Sequence, residues 1–100
     1  MYYVYILRSI KSPLRLYIGH TENLERRLAE HRAGNCHSTV RMGGFRLIFY
    51  EAFVAKGDAQ RREAYFKTTN GKKALRLIIR DSLALTGSVT VAQQTLDLLV

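Results

Sequence analysis

Residues 2 to 19 read YYVYILRSIKSPLRLYIG, and this stretch decides the fold. Residues 2 to 9 (YYVYILRS) are aromatic and β-branched with a polar end, which predicts a strand buried on at least one face. Lys11, Ser12 and Pro13 break it, and residues 14 to 19 (LRLYIG) then alternate. Leu14, Leu16 and Ile18 fall on one face and Arg15, Tyr17 and Gly19 on the other, the pattern of a half-exposed strand. A hairpin is the simplest connection between the two.

Downstream, Thr21 can cap a helix whose first turn carries Glu22 and Glu25, favourable at the positive end of the helix dipole, and which stops near Gly34. Leu24 and Leu28 should face the sheet, with Arg27 and His31 together on an adjoining face where polar groups reach into a cleft. Residues 35 to 44 (NCHSTVRMGG) have no period and read as a loop, and residues 45 to 54 (FRLIFYEAFV) as a third strand. Asp58 can cap a helix over residues 59 to 68, and Asn70 a shorter one with Leu75, Ile78 and Ile79 on one stripe. The expected fold is α+β, a small three-stranded antiparallel sheet flanked by helices, in one domain over residues 1 to 80. Residues 81 to 100 hold no Lys, Arg or aromatic residue and form a C-terminal extension that covers the core, makes a dimer contact or frays.

One hundred residues suit a single domain, and 47% apolar with 24% charged residues excludes disordered and fibrous classes. Sixteen Lys plus Arg against eight Asp plus Glu give a formal net charge of +8, so a polyanion is the natural partner. Eleven of the sixteen cations are Arg, whose planar fork suits phosphate better than an ammonium does and tilts the partner from lipid toward nucleic acid. A single cysteine, Cys36, offers neither a disulfide nor a Cys-rich metal framework, so a cytoplasmic setting is expected, without export or membrane insertion.

Glu63 is the unusual placement. Its helical neighbours Ala59 and Phe66 lie on the stripe that should pack inward, and a carboxylate there needs a partner, either a neighbouring Arg or a metal ion. Tyr5 and Tyr17 stand on paired strands, where tyrosines serve the core as readily as chemistry. Arg27 by itself reads as a solvated helix cation and His31 as a half-buried histidine with its bonds satisfied.

The string Leu16-Tyr17-Ile18-Gly19-His20-Thr21, followed by Asn23-Leu24-Glu25-Arg26-Arg27-Leu28 and His31, resembles the GIY-YIG endonuclease family, in particular its small stand-alone bacterial members. Tyr17-Ile18-Gly19 matches the second half of the family name, and Tyr3-Val4-Tyr5 stands where the first half belongs, with Tyr3 in place of the usual glycine. By this resemblance Arg27 matches the family arginine, His31 a position held by His or a similar polar group, and Glu63 the helix glutamate that binds a divalent metal. His37 falls in a loop where some members carry a histidine, and Asn70 at a polar position after the glutamate helix. The similarity spans about residues 2 to 80.

The resemblance implies a metal-dependent endonuclease that hydrolyses DNA phosphodiester bonds with weak sequence specificity, in DNA repair or recombination, RNA being an open alternative substrate. One Mg or Mn ion on Glu63 would neutralise charge and stabilise the leaving oxygen, since a single carboxylate leaves most coordination positions to water and substrate. Arg27 would clamp a non-bridging oxygen of the scissile phosphate. Tyr5 or Tyr17 would act as general base, with His31 a competing candidate because an ordinary phenol near pKa 10 needs cationic help at neutral pH. Arg8, Arg15, Arg41, Arg46, Arg61, Arg62, Lys67, Lys72 and Lys73, with His37 and Asn70, can contact the nucleic acid without reading bases. The reading requires Glu63, Arg27 and the two tyrosine hydroxyls to converge on one pocket. The alternative is a non-catalytic nucleic-acid-binding module.

Overall fold

The computed structural model describes residues 1–40 and 43–87, and the backbone alone of His37 and Ser38. Its centre is β1 (Tyr2–Ser9), flanked by antiparallel β2 (Leu16–Thr21) and β3 (Phe45–Phe53) in the order β2-β1-β3. β1 reads as a continuous apolar run because both of its faces are covered. Val4 and Ile6 point into a layer with Ala59, Phe66, Leu75 and Ile79, while Tyr5 and Leu7 point to the opposite face and meet Leu28. The period of two along one strand thus divides the core in two.

The second strand begins two residues later than its alternation suggests. Leu14 is exposed in the connection, where the Arg15 amide closes a turn on the Ser12 carbonyl at 2.8 Å. α1 (Leu24–Arg32) is capped by Asn23, whose side chain accepts from the Arg26 amide at 3.0 Å, and Thr21 instead bonds Asn23. Helices α3 (Lys56–Phe66) and α4 (Thr69–Ile78) start earlier than Asp58 and Asn70 imply: Ala55 precedes α3 without a side-chain cap, and Thr68 caps α4 through the Gly71 amide. The expected loop before β3 contains a single helical turn, α2 (His37–Val40). These shifts of one to three residues preserve the α+β architecture, a three-stranded antiparallel sheet between helices.

α5 (Arg80–Gly87) packs Leu83 against the Val4–Ile6 side of the sheet, so the expected start of the extension at residue 81 falls inside a helix. Residues 88–100, the rest of that extension, lie outside the described residues. No described helix is long and apolar enough to cross a membrane.

Arg8, one of the expected phosphate contacts, bonds α5 instead of standing on the surface. Buried at the end of β1, it donates from Nε to the Pro13 carbonyl at 2.5 Å, and from Nη1 to the Leu83 carbonyl at 2.6 Å and Thr86 Oγ1 at 3.2 Å. Burial, reinforced by the charge of Arg76, holds its pKa below the ordinary value. Nε and Nη1 are committed to two carbonyls and a hydroxyl, and the side chain is buried rather than presented to a polyanion. We predict that Arg8→Met, which keeps the stem and removes the donors, destabilises the fold by about 2 kcal/mol in chemical denaturation. The salt dependence of nucleic-acid affinity should be unchanged in that variant; a shallower slope would return Arg8 to the phosphate-contacting set.

Candidate active site

The α1 face of the hairpin gathers four of the sequence-predicted residues. Tyr5 and Tyr17, on neighbouring strands, have ring centroids 6.0 Å apart, and the His31 ring stands edge-on to both, at 5.6 Å from Tyr5 and 5.0 Å from Tyr17. Phe45 closes the far side of His31 at 5.8 Å. The register explains the gathering, because Tyr5 pairs with Gly19 on β2 and Leu7 with Tyr17. A Cβ at position 19 would lie 2.7 Å from the Tyr5 hydroxyl and 2.9 Å from Tyr17 Cε1. Glycine here admits the Tyr5 ring over the edge strand, a closer reason than the backbone freedom usually credited to it.

Hydrogen bonds join these side chains in sequence. The Tyr5 hydroxyl is 2.7 Å from His31 Nε2, His31 Nδ1 is 2.6 Å from Thr39 Oγ1, and Thr39 Oγ1 reaches the Cys36 carbonyl at 3.4 Å. Tyr5 and His31 are both buried. Arg27, one helical turn before His31, donates from Nη1 to Glu30 Oε2 at 2.8 Å, and its charge and the Tyr5 hydroxyl act on one another. Those two partners raise the Arg27 pKa further, so its charge is permanent. Burial pushes the Tyr5 phenol well above the ordinary value of 10.0, with Arg27 opposing in part. An ordinary pH leaves Tyr5 neutral.

His31 is shifted below its ordinary value of 6.5, first by burial and then by the charge of Arg27, with Glu30 opposing. The unfolded chain therefore takes up a proton more readily than the folded one. The stability contributed by neutral His31 is present above about pH 6.5 and is lost as pH falls from there toward the lower native value. The expected result is a thermal midpoint that declines on acidification below about pH 6.5, with a flatter profile for His31→Gln. An identical slope in that variant would assign the acid sensitivity to other groups.

Glu63 lies elsewhere. α3 packs against the Val4–Ile6 face, and Glu63 meets β2 from that side, Oε2 standing 2.5 Å from His20 Nδ1 and Oε1 3.1 Å from Lys67 Nζ. Tyr5, Tyr17, Arg27 and His31 thus lie on the α1 side of the sheet, and Glu63, which the expectation placed with them, does not. Alternation is the reason: Tyr17 and Gly19 serve one face of β2, and His20, in the same phase as Leu16 and Ile18, serves the other. Because β2 is an edge strand, both groups border the same margin of the sheet, with Gly19 and His20 adjacent in the chain. The side chain of Glu63 is 17% exposed, so the carboxylate is not aimed into bulk solvent.

The ion-pair expectation for Glu63 is met by Lys67 and His20 rather than by an Arg; Arg62 turns to Glu51, at 2.8 and 3.3 Å, and stacks 4.4 Å over Phe66. His20 went unassigned in the sequence, although a signal existed: it and Glu63 both occupy inward-facing polar positions, which calls for a pair. Thr39 gave no comparable signal. Of the remaining expected contacts, Arg15, Asn70 and Lys72 are exposed, and Lys67 is shared with Glu63. His37 contributes backbone to α2, while its side chain and all of Arg41 lie outside the description.

Comparison with known proteins follows the same lines. A family model described as the GIY-YIG catalytic domain matches residues 1–76. A UPF0213 protein of Clostridium perfringens is 38% identical over 84 residues, covering 83% of this chain and 88% of its own. Another, of Staphylococcus haemolyticus, is 36% identical over 78 residues, 77% of this chain and 93% of its own. The solution NMR structure of a UPF0213 protein from Bacillus halodurans covers 95% of this chain and 94% of its own at 30% identity, with a TM-score of 0.46.

Proposed function

We propose that this chain, which belongs to the GIY-YIG catalytic domain family, is a metal-dependent endonuclease that hydrolyses phosphodiester bonds of DNA, with its site wrapped around the edge strand β2. The observation that carries the reading is the Arg27 guanidinium, held by Glu30 on the face where two tyrosines meet a buried histidine. An isolated surface cation needs no such support. A group meant to hold one oxyanion in one orientation does.

Tyr5 is buried and bonded to His31, so Tyr17, half-buried on the edge strand, is the hydroxyl able to meet a water and take its proton. Arg27 binds a non-bridging phosphate oxygen and resists rotation of the scissile group. Between residues 56 and 80 the chain carries eight Lys and Arg against two acids, a basic surface on α3 and α4 for backbone phosphates away from the scissile one. Arg15, Lys67, Asn70 and Lys72 fit that role.

Glu63 and His20 are the donors at hand for a divalent ion. No three His, Cys, Asp or Glu side chains gather among the described residues, so Glu63 would be the principal protein ligand, with His20 beside it. A single hard oxygen donor suits Mg or Mn, which keep most of their waters, and the ion would replace the bonds of Glu63 to His20 and Lys67. When bound, such an ion supplies charge neutralisation for the leaving oxygen.

Nicking of supercoiled plasmid in Mg or Mn tests the reading. Wild-type protein is expected to nick, to stop on chelation, and to lose at least a hundredfold in rate as Glu63→Gln. Wild-type rates in that variant would sink the metal role. The occupation of both Glu63 oxygens by His20 and Lys67 favours a second reading, a nucleic-acid-binding module without catalysis. It predicts binding without nicking in either ion. In both cases log affinity should fall against log salt with a slope of about −4 to −5 if roughly five phosphates are neutralised. A flat response would exclude a polyanion partner altogether.

A further inference from the structure

We propose that Thr39 is a positioning residue for this site: it fixes His31 as the Nδ1–H tautomer, so that Nε2 accepts from the Tyr5 hydroxyl. The inference rests on the nuclease reading for its consequence, and on hydrogen-bond geometry alone for its first step.

Two hydroxyls flank the imidazole, Tyr5 at Nε2 and Thr39 at Nδ1, and a neutral ring has one N–H to donate and one lone pair to offer. Only two arrangements satisfy both bonds. In the first, Nδ1–H donates to Thr39, Thr39 donates onward to the Cys36 carbonyl, and Tyr5 donates to Nε2. In the second, Thr39 donates to Nδ1 and Nε2–H donates to Tyr5.

The Cys36 carbonyl decides between them. Thr39 has one proton, and its Oγ1 donates to that carbonyl at 3.4 Å, so His31 Nδ1 must donate to Thr39 and Nε2 is left to accept from the Tyr5 hydroxyl. In the second arrangement the Thr39 proton turns to Nδ1 and the Cys36 carbonyl loses it. Thr39 is itself buried, which keeps water from substituting for its hydroxyl. The chain of bonds from Cys36 through Thr39 and His31 to Tyr5 thus has one direction. It orients two side chains of the site in the way that outer partners orient the ligands of a metal.

The experiment compares wild-type protein with Thr39→Val, which keeps the shape and removes the hydroxyl, and Thr39→Ser, which keeps the hydroxyl. Nitrogen-15 spectra of labelled histidine, with the His31 signals identified by their absence in His31→Gln, read the tautomer directly. The Nδ1–H form is expected in wild type and Thr39→Ser, and a shift toward the Nε2–H form in Thr39→Val. Plasmid nicking should fall about tenfold or more in Thr39→Val and stay within about twofold in Thr39→Ser. An Nε2–H ring in wild type, an unchanged ring in Thr39→Val, or a Thr39→Ser protein as impaired as Thr39→Val would each overturn the proposal. A wild type that binds but does not nick, while its His31 tautomer still follows Thr39, would defeat the nuclease reading and uphold this assignment.

Discussion

Arg27→Ala protein is expected to nick plasmid about a thousandfold more slowly than wild type while its thermal midpoint moves by only a few degrees. The rate effect follows from position. Removing one preorganised donor from a developing oxyanion lowers rates a hundred- to a thousandfold, and an arginine on a transferring phosphoryl group contributes as much or more. The small effect on stability follows from exposure, since the Arg27 side chain is one-third exposed and its partner Glu30 is similarly open to water. Tyr5 keeps its bond to His31 in the variant, so no buried hydroxyl is orphaned. Arg27→Lys retains the charge without the fork and should recover only part of the loss, because an ammonium cannot bond Glu30 and a phosphate oxygen in one plane. Loss of less than tenfold in Arg27→Ala, measured at saturating metal, would remove Arg27 from the chemistry.

Gly71→Ala is expected to have the largest effect on folding of any single methyl addition in the described residues. A Cβ at position 71 would lie 1.7 Å from the Tyr65 carbonyl oxygen, 2.4 Å from its carbon and 3.0 Å from Phe66 Cα. All three are backbone atoms, so no rotamer change relieves the contact. α3 and α4 would have to part, uncovering Phe66 and Leu75, both fully buried at their junction. The penalty should exceed about 3 kcal/mol, a large share of the roughly 5–15 kcal/mol that holds a domain together. A fall in thermal midpoint of at least about 12 °C follows for a chain of this size. Gly57→Ala is the control: its Cβ would meet only the Arg61 guanidinium, at 3.7 Å, and alanine in a helix is favoured by about 0.5–1 kcal/mol. A Gly71→Ala protein melting within about 3 °C of wild type would contradict the packing described for this junction.

Much of the architecture was legible in residues 2 to 53. Two apolar segments around Lys11-Ser12-Pro13 gave the hairpin, and the bulky run from Phe45 gave the third strand. Helix starts were misplaced for a shared reason. Thr21, Asp58 and Asn70 are good capping residues, but Asn23 and Thr68 stand where the chain turns in space, and Ala55 begins α3 with no side-chain cap at all. Capping preference ranks candidates, and packing of Leu24, Ala59 and Leu75 onto the sheet chooses among them. The burial of Arg8 was not legible, because a cation on a strand looks alike whether it meets phosphate or a carbonyl seventy-five residues away.

By itself the sequence determined the chemistry available: the spacing of Tyr5, Tyr17, Arg27, His31 and Glu63, the excess of arginine, and the family to which these belong. Only the tertiary structure decided how those groups divide. It placed four on one face and Glu63 with His20 on the other, buried Tyr5, and brought Thr39 from a segment without periodicity to the back of His31. The physical reason is that side-chain period along a strand is a local property, whereas the face that each phase meets depends on which helices return to cover it, and that is settled by burial across the whole chain.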